Sequence, residues 1–145
     1  MNTWISEIMF ASPEYDESVD LRTRVLRVPL KMSFEIKDLA VEYKEWHLGC
    51  YSEAGKLLGC LILKPLTDKL VKMRQVAVEP EFQGMKIGQK LVQASEEFAK
   101  AQKCIKIELN ARAPVIPFYQ KLGYSLIGEP FYEVGIEHGK MIKEL

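Results

Sequence analysis

The sequence predicts a mixed α/β fold, with a mostly antiparallel central sheet flanked by helices, and two patterns carry that expectation. Strand-like runs fall at residues 46–65, 70–78, 104–111, 124–133 and 138–145. Residues 87–101 instead repeat apolar side chains every three or four positions, the mark of a helix packed on a sheet. Their order is strand, helix, three meandering strands, helix, strand, helix and two strands. At 145 residues, 48% hydrophobic and 28% charged, the chain is long enough for one core and short for two. Residues 1–145 therefore read as a single domain.

In chain order, the opening segment to Phe10 is short and apolar enough for an edge strand. Ser12 is an N-cap and Pro13 the first position of a helix running to about Leu26. Pro29 interrupts the next segment, so residues 27–39 read as a loop with one short helix. "WHLGCYSEAGKLLGCLILKP" is a hairpin, with Gly55 supplying the positive φ of its turn and Pro65 ending the second strand. "LVKMRQVAV" alternates Val71, Met73, Gln75 and Ala77 with Lys72, Arg74, Val76 and Val78, a strand with two differently used faces. In the long helix, Ile87, Leu91, Ala94, Phe98 and Ala101 form the expected apolar stripe and Glu96, Glu97 and Lys100 the polar side. A strand in "CIKIELNA", a short helix closed by Gly123 and two final strands complete the chain.

Charge and cysteine content exclude several classes. Twenty Lys and Arg balance twenty Asp and Glu, so no overall positive field draws the chain onto nucleic acid or an anionic membrane. Cys50, Cys60 and Cys104 show neither C-x-x-C nor finger spacing, and His47 has no partner at a ligand spacing, so buried inert thiols and no metal are expected. With no leader-like N-terminus and no apolar run near the ~20 residues that span a bilayer, the chain reads as cytoplasmic.

"EPEFQGMKIGQKL", residues 79–91, carries the chemistry. A strand ending at Val78 and passing through this stretch into a helix aims free N–H groups and the positive end of the helix dipole at whatever lies beyond the strand. Gly84 and Gly88 let a ligand approach the backbone. The stretch fits neither a Walker A loop nor G-x-G-x-x-G. Taken alone, a plain strand-to-helix turn remains the alternative.

"VAVEPEFQGMKIG" resembles the pyrophosphate-binding motif of the GNAT superfamily of acetyl-CoA-dependent N-acetyltransferases, a Q/R-x-x-G-x-G/A after a strand ending A-V-x-P. Ala77, Val78, Pro80, Gln83, Gly84 and Gly88 are in place. Lys86 departs from the pattern, standing where the superfamily usually has its first motif glycine. Further along, "ELNARAPVIPFYQKLGY" is similar to the superfamily's later A…FY-x-K-x-G-F/Y motif, and "FYEVGIEHGKM" to the ending of its ElaA-like branch.

The resemblance covers nearly the whole chain and implies the GNAT acyl-CoA N-acyltransferase fold, acetyl-CoA as co-substrate and direct transfer to a primary amine of unknown identity. It also implies the site. Val76, Ala77 and Val78 would run along the pantetheine arm, with the Val78 amide polarising the carbonyl. Gln83, Gly84, Met85, Lys86, Ile87, Gly88 and Gln89 would hold the pyrophosphate. Asn110 would touch the arm, or else cap a turn. Tyr119 would lie beside the sulfur and protonate the departing thiolate, or else pack with Phe118.

On the acceptor side, Arg22 and Arg27 could meet an acidic acceptor, or form a solvated helix face. Glu108 and His138 are candidates for the base, each with a structural alternative. A catalytically idle acyl-CoA-binding module is the rival reading, and an acyl-homoserine-lactone synthase a more distant one. Self-association as a homodimer stays open.

Overall fold

The computed structural model describes residues 1–145. Strand β1 (Thr3–Ile8) leads to helix α1 (Pro13–Arg22), which opens as expected: the Ser12 hydroxyl accepts the Tyr15 N–H at 3.1 Å, and Pro13 loses no bond by lacking its own. The helix does not stay α-helical to Leu26. It widens into a π-helical turn over Thr23–Arg27. A short 3₁₀ turn at Pro29 then ends on Lys31 in the left-handed region. Helix α2 (Ile36–Ala40) comes next, then β2 (Trp46–Ser52), β3 (Leu57–Pro65) and β4 (Leu70–Val78). The second half holds α3 (Ile87–Ala101), β5 (Lys106–Arg112), α4 (Ile116–Lys121), β6 (Ser125–Glu133) and β7 (Ile136–Glu144).

The seven strands form one sheet in the order β1-β2-β3-β4-β5-β7-β6. All neighbours are antiparallel except β4 and β5, which α3 joins as a parallel crossover. This is the mixed, mostly antiparallel sheet that the pattern predicts. No helix is long and apolar enough to cross a membrane.

Each face of the sheet has its own core. On one face α3 and α4 pack Leu91, Val92 and Tyr119 against Leu61, Met73, Ile107 and Met141. On the other, α1 packs Tyr15 and Leu21 against Cys60 and Ala77. Each such aliphatic side chain, fully buried, stabilises the fold by about 1.5–3 kcal/mol. Cys50 and Cys60 are buried free thiols on opposite faces, and Cys104 is buried as well.

The buried stripe of α3 is rotated from the expected one. Leu91, Val92, Ser95, Glu96 and Ala99 face the sheet, and Ala101 is exposed. Glu96, expected in solvent, accepts hydrogen bonds from the Tyr124 hydroxyl and from Lys143 Nζ, both at 3.0 Å. Two donors from the C-terminal part of the chain satisfy a carboxylate that could not otherwise be buried.

A second difference lies in β4. Gln75 has a φ of 56°, and the β3–β4 register slips between Cys60 and Ile62. This is a β-bulge, which exchanges the faces that residues before and after it occupy. Val71 and Met73 therefore belong to the α3-side core, whereas Ala77 belongs to the α1-side core. Val76 and Val78 turn to the α3 side. The single alternation read from the sequence does not survive position 75.

Candidate active site between β4 and β5

The bulge opens the sheet. Parallel pairing of β4 with β5 runs from Leu70–Lys106 to Met73–Leu109 and ends there, while β5 stays paired with β7 through Arg112–His138. Beyond Met73 the two strands diverge, and a cleft of about 900 Å³ lies between them.

One wall of the cleft is a bare strand edge. The Glu79 N–H bonds back to the Leu58 carbonyl at 2.8 Å, so Val78, opposite Gly59, aims its own N–H and C=O away from β3 and into the cleft. The Gln83 side-chain amide, at 3.2 Å, caps that carbonyl and leaves the N–H free. Val76, two residues earlier, has no β3 residue in register with it.

The turn after β4 supplies further donors. Gln83 and Met85 spend their amides on Pro80 and Phe82 inside the turn. The amides of Gly84, Lys86, Ile87, Gly88 and Gln89 donate to no carbonyl, the first helical bond being Lys90 N–H to the Lys86 carbonyl at 3.0 Å. Lys86 precedes α3 with a φ of 65°, a left-handed conformation that suits glycine. The position therefore has the geometry that a glycine would supply, and lysine holds it at a cost. A Cβ on Gly88 would come within 3.5 Å of Phe118 and 3.8 Å of Val78, so the glycine keeps the strip between α3 and α4 open.

Tyr119 reaches the same cleft from α4. Its ring packs edge-on against Phe118 and Tyr124, with centroids 5.0 and 5.7 Å away, and its hydroxyl has no partner in the protein. Burial pushes the phenol up to about 12, so it stays protonated. Asn110 lines the cleft from β5.

His138 enters from β7 and stacks on Phe131. Its Nδ1 lies 2.8 Å from the Ile136 carbonyl. A carbonyl only accepts, so Nδ1 is the donor in that contact. The Glu133 carboxylate is 3.7 Å from Nε2.

Other expected residues lie elsewhere. Arg22 does not line the cleft. It is buried against Glu42, donating to both carboxylate oxygens at 2.9 and 2.8 Å, and the Tyr15 hydroxyl adds a third bond at 2.7 Å. Glu108, on β5, is held by Lys140 at 2.8 Å and stays out of the cleft. The Ala77 side chain is buried on the α1 side, and Met85 is exposed beside Met1 and Thr3. Arg27 does line the cleft, and Arg74, Arg112 and Glu133, not singled out in the sequence, join it there. For Arg112 a signal was available: the period of two that places Asn110 in β5 places Arg112 on the same face.

Among known families, residues 15–124 match the one described as the acetyltransferase (GNAT) family. A glucosamine 6-phosphate N-acetyltransferase from Trypanosoma brucei brucei is 26% identical over 81 residues, 52% of this chain and 55% of that protein. The chain spans about half the length of the curated relatives it matches. The solved structure of Escherichia coli ElaA superposes with a TM-score of 0.81 at 19% identity, covering 99% of this chain and 100% of that one. A GNAT family acetyltransferase from Elizabethkingia anophelis, solved with acetyl-CoA bound, gives 0.78 at 22% identity, covering 99% of both chains. At these identities the structural likeness is one of fold.

Proposed function

The chain belongs to the GNAT acetyltransferase family, and from that premise we propose that it moves an acetyl group from acetyl-CoA directly to a primary amine, both bound at once. One observation carries the reading: a strand edge with unpaired N–H groups, a turn of free amides and a partnerless phenol share one cleft. When bound, acetyl-CoA supplies the activated acetyl group and the thiolate that departs as the C–N bond forms.

The residues present fit that group. The free amides of Gly84, Lys86, Ile87, Gly88 and Gln89 would hold the pyrophosphate at the N-terminus of α3, and the Lys86 ammonium adds a positive charge beside it. Val76 and Val78 would pair with the pantetheine arm as a neighbouring strand would. The Val78 N–H would polarise the carbonyl oxygen as charge gathers there. Tyr119, its hydroxyl free of any protein partner, holds a proton that it can pass to the departing thiolate as the thiolate forms. His138 Nε2 accepts the proton that the amine gives up, its ring orientation fixed by Ile136. No cysteine lines the cleft, so direct transfer needs no acyl-enzyme.

The test pairs calorimetry of acetyl-CoA binding with a thiol-release assay over classes of primary amine. Saturable binding and amine-dependent release are expected. Binding without release on any amine would instead make the chain an idle acyl-CoA-binding module.

A further inference from the structure

On the α1 side of the cleft, three guanidinium groups converge from separate elements: Arg27 from the π-helical turn, Arg74 from β4 and Arg112 from β5. The chain has five arginines. Three are pinned to carboxylates, Arg22 by Glu42, Arg24 by Asp20 and Glu79, and Arg74 by Glu45 at 2.7 Å. Arg27 and Arg112 have neither a carboxylate within 4.0 Å nor a hydrogen-bond acceptor in the protein. Phe34 lies 4.6 Å beneath Arg27, holding the flat of the guanidinium and leaving its N–H edges free.

Guanidinium groups drawn into a cleft normally bring their counter-charge with them. Arg74 does so with Glu45, but Arg27 and Arg112 do not. Burial first, then Arg74, Arg112 and Arg22, push the Arg27 guanidinium below its usual range. The carboxylate on this side of the cleft, Glu133, is largely exposed and faces His138. The free amides of the turn sit at the start of α3, on a different element from each of the three arginines.

Resting on the reading of the cleft as an acyl-transfer site, we propose that the amine acceptor is a small molecule that also carries a carboxylate or phosphate, and that Arg27 and Arg112, with Arg74 beside them, bind that anion. Their planar forks fit either group bidentately. Gripping the acceptor by its anion leaves the amine free to point past His138 toward Val78. Neutral amines lack that anchor, and polyamines meet repulsion.

The test compares paired acceptors that differ only in the anion: β-alanine against ethylamine for the carboxylate, O-phosphoethanolamine against ethanolamine for the phosphate. Thiol release is expected to favour one anionic member at least tenfold in kcat/KM. In Arg27→Ala and Arg112→Ala that ratio should collapse toward unity, with calorimetric acetyl-CoA affinity held within twofold. Equal rates within both pairs, or a preference for the neutral member, would overturn the proposal. So would arginine variants that lose acetyl-CoA affinity, since the guanidinium groups would then serve the cofactor. If no amine in the panel reacts, titrating the CoA-saturated protein with inorganic phosphate and with acetate decides: binding lost in the arginine variants supports the site, and no binding refutes it. Wild-type protein that fails to bind acetyl-CoA would sink the transferase reading instead, and phosphate titration of the free protein would still report on the arginines.

Discussion

Replacing Tyr119 by phenylalanine removes one oxygen and nothing else that the surrounding residues touch. The ring keeps its edge-on contacts with Phe118 and Tyr124, and no protein group loses a hydrogen bond. Stability should therefore change by less than about 1 kcal/mol, within the usual worth of one hydrogen bond. If the hydroxyl delivers the proton to the thiolate, turnover should fall at least about tenfold, or ~1.4 kcal/mol of barrier. Acetyl-CoA affinity should hold within about twofold, because the ring that shapes the cleft remains. The phenol sits at about 12, so the wild-type pH–rate profile should show no Tyr119 limb below about pH 10. A raised folded-state value also means that proton retention favours the folded state below about pH 10, the unfolded value, and that this contribution is lost as pH climbs toward 12. The alkaline loss of stability between those values should accordingly be smaller in Tyr119→Phe. Steady-state thiol release on the best amine, calorimetry and thermal unfolding read the three quantities. A variant with full turnover would refute the acid role and leave Tyr119 as a packing residue. Weaker binding at unchanged turnover would make the hydroxyl a ground-state contact.

Three further perturbations bear on the turn and on the buried ion pair. Gly88→Val should lower acetyl-CoA affinity at least about tenfold, or ~1.4 kcal/mol, by filling the strip between α3 and α4, while Gln89→Ala stays near wild type. Equal calorimetric affinities would take the turn out of the site. At position 86, Lys86→Gly should be more stable than Lys86→Ala by about 1 kcal/mol, the reverse of the usual helix order, because the left-handed conformation penalises a Cβ. Denaturant midpoints in the opposite order would contradict that backbone geometry. Glu42→Ala strands the Arg22 guanidinium in the core and should cost about 3–5 kcal/mol. Burial pulls the Glu42 carboxyl upward, but the bonds from Arg22 prevail and hold it below the usual range. Its contribution is therefore present above about pH 4.3 and fades as acid protonates it, so the gap between wild type and variant should close at low pH. A gap that is constant with pH would rule out the ion pair as its source.

Most elements were legible because their signals are local. Ser12 before Pro13, Gly55 in its turn and Gly123 after α4 mark boundaries through backbone chemistry that neighbouring residues do not override. What the sequence hid was decided at a distance. Nothing around Gln75 announces a bulge, because it depends on how β4 registers against β3. Glu96 looks like a solvent residue until Tyr124 and Lys143 arrive from the other end of the chain to satisfy it. Arg22 looked like an acceptor ligand because Glu42, twenty residues on, could not be paired with it by pattern. In the candidate site the turn was readable, but not the division of labour within it, where Gln83 and Met85 spend their amides and their neighbours do not.

The short parallel ladder between β4 and β5 also sets the mechanics of the molecule. Four residue pairs, Leu70–Lys106 to Met73–Leu109, are all the strand-to-strand pairing that joins β1 to β4 with β5 to β7. Each side is a stiff antiparallel plate, and the seam between them is unstitched along half its length. A molecule lying in the opening and bonding to the free edge of Val76 and Val78 replaces the missing stitches, so occupancy and rigidity become one quantity. At a hundredfold excess over its dissociation constant such a ligand contributes about 2.7 kcal/mol to the folded state, concentrated along the seam. Amide exchange should slow there first, and the protein without ligand is a sheet held open where a substrate would close it.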